Sequence, residues 1–543
     1  MRALTKRILI VCFTLVLSVS AVYAGGRRQE SQSGTSASGL TDVTFVRSSD
    51  DTMEINIFSK IPETFEDNRW SKLYAGELNY AVKYLWISKG AEQYTQKFNA
   101  AIAAGELPDI VQVNKIQLKQ LVEADLIIDI KPYFDQYASD LLKSMIAQAG
   151  NRAVQAATIN NVQYGVPLVD CDLETAPMLW IRQDWLERTG RTAPATLDEL
   201  ESLVLEFNRI AGSGAIGVNV QKDIWNDIFG LLGMFQAYGA YPLFWVKTGS
   251  QSLGYGSVQP GMKEALARAA QWYRQGIIDR EFLVKDGTKA SESSVAGKNG
   301  LFYGTHANSL WPLQDNVNND PNADWLPYPM PALRKDGGVS PGLRMLTSNW
   351  YAVSKNCRHP EALIKMLNLY VDKVFDERNQ EYSYYANPGN GLEGVWRLSP
   401  VFMNSANKNQ VTATNIAKPL VDHNPGSLWG EQLTMYEYSQ RAVDGERGLW
   451  GWNRVFGARG SQMLLMDYEK AGSFVYDEFF GPPTPTMTER KTTLDAMLSE
   501  AFIKIITGEA DISSFDTVVR QWETSGGAAM TREINAWYAS SSR

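Results

Sequence analysis

Apolar and polar positions along this chain switch between the two-residue period of a strand and the 3.6-residue period of a helix, and the switching predicts an α/β protein. Residues 43–46 and 55–58 are short β-branched runs that read as early strands. Residues 108–114 read as another, ending on the polar Asn114. Residues 93–104 follow a helical period and run into Gly105, and Thr196 and Glu199 stand in the spacing of a capping box, which predicts a helix through Phe207. Pro360 opens a helix whose one face carries Leu363, Met366, Leu367, Tyr370 and Val371. Leu494, Met497, Leu498, Ala501, Phe502 and Ile505 form a comparable stripe that stops at Gly508, and both stripes read as core. Ligands of open α/β sheets gather beyond strand ends, which makes Asn114 and Lys115 candidate contacts.

The first segment sets the compartment. Arg2, Lys6 and Arg7 precede an apolar run from Ile8 to about Val22, and Val22-Tyr23-Ala24 forms a small-residue cleavage site, so residues 1–24 are predicted to be a signal peptide. No later run resembles it, and no membrane span is expected. The only nearby thiol, Cys12, lies inside the apolar run, so a lipid anchor is disfavoured and a periplasmic or otherwise secreted protein is expected. Residues 25–39 hold too little apolar surface to order and read as a flexible leader.

Removing 24 of the 543 residues leaves 519, more than one hydrophobic core accommodates and about right for two large lobes. The expected division puts residues 40–168 and 350–430 in the first lobe and 169–349 and 431–543 in the second. The formal charge of −8 falls to −11 once the three basic residues of the signal peptide are gone. Such a surface repels phosphate backbones, so nucleic acid is not an expected partner. Cys171 and Cys357 remain in a compartment that permits disulfides; whether they pair depends on a Cα separation within ~7 Å.

Catalytic signatures are missing. His306, His359 and His423 are widely spaced, none in a paired ligand motif, so no metal site is expected. The serine-hydrolase elbow and the phosphate-binding loop are absent. Gly212, Gly214 and Gly217 match dinucleotide spacing, but a helix precedes them and a strand-like run follows, the reverse of the required order. No cofactor and no enzyme activity are expected.

Sixteen tryptophans are many for this length, and Trp225, Trp311, Trp350, Trp429, Trp450 and Trp452 sit among Gly, Asn and Asp without helical period. Indoles pack on the C–H faces of sugars while carboxylates, amides and guanidinium groups meet the hydroxyls, so a cleft that mixes them suits carbohydrate. Each indole taken singly is as readily core. Asp170, Asp172 and Glu174 follow the strand-like residues 164–168 and are candidate acceptors for sugar hydroxyls, or ordinary loop charge. Lys115, Arg182 and Arg344 are the cations that would meet an acidic sugar, or are surface charge.

Four blocks, taken in order, resemble the extracellular solute-binding proteins of sugar ABC importers, especially the larger members that include alginate-oligosaccharide binders and LplA-type lipoproteins. They are Gly105-Glu-Leu-Pro-Asp-Ile110; the run from Tyr164-Gly-Val-Pro167 through Trp180-Ile-Arg-Gln-Asp-Trp-Leu186 to Leu200; Glu264-Ala-Leu to Trp272-Tyr-Arg-Gln-Gly-Ile-Ile-Asp279; and Thr484-Pro-Thr486 to Gly508, followed by Phe515-Asp516, Trp522, Gly526-Gly527 and Asn535-Ala-Trp-Tyr538. The resemblance implies a periplasmic-binding-protein-like fold of two α/β lobes joined by a hinge, with crossings near residues 165–169 and 350–354 and the ligand cleft between the lobes. It makes Trp311 the best single binding residue, with Asn114 and Asp170 as polar contacts; Lys115, Asp172, Trp225, Trp350, Trp429 and Arg344 complete the candidate set. Larger relatives carry a calcium loop after the capping-box helix, but residues 211–216 offer almost no carboxylate there, so calcium is not supported.

The resulting expectation is a monomeric substrate-binding component that captures an oligosaccharide for an importer permease. The competing readings are a secreted polysaccharide hydrolase or lyase, and a peptide- or lipid-binding protein of the same two-lobed shape.

Overall fold

A computed structural model describes residues 39–376, 381–389, 392 and 394–541. The signal peptide and, apart from Gly39, the leader lie outside the described residues.

In the first lobe the strands Thr41–Ser49 and Tyr80–Lys89 pair in parallel, with a slip between Phe45 and Val46 that leaves Leu85 out of register and exposed. Ile110–Asn114 is held beside them by Asp109, whose carboxylate accepts from the Thr44 amide at 2.8 Å. It pairs antiparallel with Asn349–Val353, which also pairs with Val166–Pro167. The second lobe is organised on Met178–Arg182, buried along its whole length and flanked by Leu301–Gly304 and Trp325–Tyr328, both antiparallel.

Local signals explain most helices. Gly105 and Gly508 end Gly90–Ala104 and Pro485–Thr507 with left-handed φ of 70° and 84°, as their places in the pattern predict. Glu361–Phe375 buries all five stripe residues. In Leu197–Ala211 the Thr196 hydroxyl accepts from the Glu199 amide, but the Glu199 carboxylate reaches past Thr196 to the amide of Ala195. One expectation fails: residues 55–58 are helical, within Glu54–Phe58. Asp50 caps the Met53 amide at 2.8 Å, and the buried residues are Met53 and Ile57, four apart on one helix face, while Ile55 is exposed.

The cores separate along the chain. One gathers side chains from Val43 to Val169 with Tyr351 to Met403, and another gathers Leu179 to Val339 with Phe479 to Ile534. The helix Lys408–Asp422, placed in the first lobe by the expected boundary at 430, packs instead on Gly430–Val443 and Ser461–Lys470 in a small third core with Val455 and Phe456. Between the lobes, chain segments lie side by side: the Leu168 amide donates to the Asn349 carbonyl and the Asn404 amide to the Val169 carbonyl. Gly165 is required here, because a Cβ would sit 2.8 Å from that of Trp350.

Cys171 and Cys357 are free thiols. Burial raises the pKa of both, that of Cys357 to about 12, so neither is poised to react.

Candidate functional site

The strip Arg344–Asn349 brings five of the candidate residues together. Asn349 stands opposite Asn114 in the sheet register. The Thr347 hydroxyl accepts from the Asp170 amide at 3.3 Å, the Leu346 amide donates to Asp172 at 2.7 Å, and the Arg344 amide donates to Thr175. Lys115 lines the same pocket as Thr347 and Ser348. Asn114, Lys115, Asp170, Asp172 and Arg344 thus surround one crossing between the lobes.

Asn114 is both strand end and helix cap: its Oδ1 accepts from the amides of Ile116 and Gln117 at 3.0 Å, and Gln117 answers to the Asn114 amide. Its position between two hollows follows from that double role. One hollow, about 310 Å³, belongs to the first lobe and is lined by Ser48, Asp50, Gln112, Asn349, Tyr351 and Arg397, with Arg397 paired to Asp50. The other, about 370 Å³, bridges the lobes between Lys115 and the wall of Trp245 and Phe479, with Asp477 at its base.

The Lys115 ammonium makes no hydrogen bond or ion pair among the described residues. Burial lowers its pKa, opposed by the fields of Asp477 and Asp172. Asp477 is half-buried, and loss of solvent around it raises its carboxyl pKa although it accepts from the amides of Trp245 and Phe479. Asp172 is shifted upward for the same reason, against the Leu346 amide and Arg152. Asp170 accepts from the Cys171 amide and from Asn404. Arg344 is committed to Asp227 at 2.8 Å.

The tryptophans divide. Trp311 is 48% exposed, and no other tryptophan stands among the large exposed apolar side chains of the described residues. Trp429 is half-buried and lines a separate hollow of about 230 Å³ beside Met145, Val411 and the Lys408–Glu431 pair. Trp225 and Trp350 correct the expectation that they line a cleft. Trp350 has no exposed surface, donates from Nε1 to the Ala153 carbonyl at 2.7 Å and packs in the first-lobe core. Trp225 is buried edge-on against Phe235 and Phe502.

Sequence reasoning passed over three neighbours of the site. His306 Nε2 lies 3.4 Å from Glu174 Oε2, and the same carboxylate accepts from Asn409 and Gln462. Asp50 and Asp477 complete the two hollows. None of these carries a spacing motif, and the partners that place them in the site, Arg397 for Asp50, Glu174 for His306 and Trp245 for Asp477, lie more than a hundred residues away.

The stretch that holds calcium in larger relatives does not fit the ion here. Residues 211–217 are pinned by backbone bonds, the Ile216 amide to Lys298 and the Val218 amide to Ile277. Beside them the nearby carboxylate, Asp279, already holds the buried Lys285 ammonium at 2.6 Å. Among the described residues no group of three or more metal-binding side chains occurs.

The chain belongs to the bacterial extracellular solute-binding proteins, whose family model matches residues 61–374. Within that family it is 23% identical to lipoprotein LipO of Bacillus subtilis, over 97% of this chain and 98% of the relative. It is 22% identical to the polygalacturonan/rhamnogalacturonan-binding protein YtcQ of the same organism, over 96% and 97%. A solved structure of an HMO binding ABC-transporter associated solute-binding protein from Bifidobacterium longum infantis superposes with a TM-score of 0.62 at 14% identity, over 92% of this chain and 99% of that one. The fold is therefore periplasmic-binding-protein-like, two α/β lobes with the cleft between them. No helix among the described residues is long and apolar enough to cross a membrane.

Proposed function

We propose that this chain is the substrate-binding component of an ABC importer, capturing an oligosaccharide in the groove at the lobe crossing and passing it, unaltered, to permease subunits in the membrane. Lys115 carries the reading. It is an ammonium with three donors and no protein acceptor, set in a hollow that bridges the lobes and is walled by aromatic rings. Sugar hydroxyl and ring oxygens supply the missing acceptors, and sugar C–H faces suit the rings. The carbohydrate names of the YtcQ relative and the Bifidobacterium neighbour support the same class of ligand.

The first lobe comprises residues 40–168 and 350–407 and the second 169–349 and 408–541, with Lys408–Asp422 moving with the second. Ligand bridging both lobes stabilises the closed form through contacts that the open form lacks. Trp311 is the stacking surface on the second lobe. The protein acts as a monomer in the periplasm and binds no nucleic acid.

Thermal shift and calorimetry against sugar and peptide panels test the reading, since a ligand that binds only the native form raises the melting temperature. Sugars raise it, chromatography recovers them intact, and Lys115→Met weakens binding about tenfold or more. A response to peptides alone, or cleavage of the sugar, would replace the reading.

A further inference from the structure

An acidic oligosaccharide needs cations that are free to meet its carboxylates, and the groove holds its cations back. Arg397 is paired with Asp50, Arg344 with Asp227 and Lys491 with Asp495. Arg47 spends its guanidinium on the carbonyls of Arg397 and Ser399, and its one unbonded nitrogen, Nε, is buried. Arg182, which the sequence offered as a contact for a uronate, is sealed in the second lobe between Asp184 and Asp320.

Lys115 alone is unspent among the cations lining the two hollows; it shares its hollow with Asp477 and lies in the field of Asp172. Two further carboxylates, Asp170 and Glu174, stand within a few residues of Asp172. Among the described residues none of Asp170, Asp172 and Glu174 is ion-paired to a lysine or arginine; Glu174 has only His306. The crossing therefore has a surplus of acceptors: Asp170, Asp172, Glu174 and Asp477 outnumber Lys115 and Arg152, the latter laid over the Tyr476 ring. Hydroxyl groups donate to such a surface, whereas a ligand carboxylate brings like charge into a poorly solvated groove.

We infer that the ligand is an uncharged oligosaccharide and that the groove rejects uronate-containing ones. The inference rests on the oligosaccharide reading above and narrows it: the carboxylates at the crossing act as the discriminating residues, with Asp172 foremost because it is half-buried beside the Leu346 strip and has no ion-pair partner among the described residues.

The test titrates the full mature chain with neutral hexasaccharides (malto-, xylo- and manno-) and with hexagalacturonate, by calorimetry at low and high salt. At least one neutral sugar binds about tenfold or more tightly than hexagalacturonate, with little dependence on salt. Asp172→Asn narrows that ratio, and Asp170→Asn serves the same purpose should the first variant fold poorly. Hexagalacturonate binding as tightly as every neutral sugar, or an unchanged ratio in both folded variants, overturns the inference while leaving an oligosaccharide binder. No binding to any sugar removes the reading beneath it as well.

Discussion

The Arg152 guanidinium lies 3.6 Å above the ring of Tyr476. Arg152 belongs to the short helix Asn151–Gln155 of the first lobe, and Tyr476 to the strand Val475–Tyr476, which pairs with Gly342–Leu343 of the second. The contact spans the crossing. A cation over an aromatic face contributes roughly 0.5–2 kcal/mol, enough to bias a two-state equilibrium between lobe arrangements. Arg152→Ala is expected to raise the radius of gyration of the ligand-free protein in solution scattering. Unchanged scattering would mean that the pair does not hold the lobes together.

Trp311 and Trp350 separate binding from folding. Trp311→Ala removes an exposed ring and is expected to cost about 2 kcal/mol of binding with little change in melting temperature. Trp350→Ala empties a fully buried site and leaves the Ala153 carbonyl without its donor, at about 3–5 kcal/mol of stability. Calorimetry and thermal melting on the same two variants distinguish these outcomes.

Asp477 gives stability a pH dependence of known sign. Burial holds its folded pKa above the ordinary aspartate value, so the cost of ionising it is absent in acid and grows as pH rises through the ordinary aspartate range to the raised value. Asp477→Asn keeps an acceptor for the Trp245 and Phe479 amides and is expected to melt higher than the native chain at pH 7. The difference should shrink as pH falls below about 4. Paired melting curves across that interval are the check; a variant that melts lower at pH 7 would contradict it.

Lys285 holds the Asp279 carboxylate beside residues 214–217, the stretch where the resemblance would put a calcium loop. Chelator and millimolar calcium are therefore expected to give the same melting temperature, and Lys285→Met, which strands the buried Asp279 carboxylate, is expected to cost about 3–5 kcal/mol. A saturable rise in melting temperature with calcium would refute the internal ion pair as the fastening of this loop.

What the chain announces by itself is what local physics enforces. The apolar stripes of Glu361–Phe375 and Pro485–Thr507 follow the helical period, and Gly105 and Gly508 end helices because only glycine enters the left-handed region cheaply. Family membership and the strand end at Asn114 were equally legible, as ordered blocks and a change of period. Local pattern misled at residues 55–58, where the Asp50 cap, five residues before the segment begins, commits the backbone to a helix. It passed over Tyr80–Lys89, an edge strand whose exposed Leu85 and Ile87 blur the alternation.

The site was decided elsewhere. A tryptophan in a polar stretch reads the same whether it is exposed, like Trp311, or enclosed, like Trp350, because burial depends on residues far away in the chain. Pairings such as Arg344 with Asp227, Asp172 with Leu346 and Lys285 with Asp279 set which charges remain free, and no spacing in the sequence encodes them. Composition and period determined the kind of protein; only the folded arrangement, by bringing distant groups within a few ångströms, determined which of its groups face a ligand.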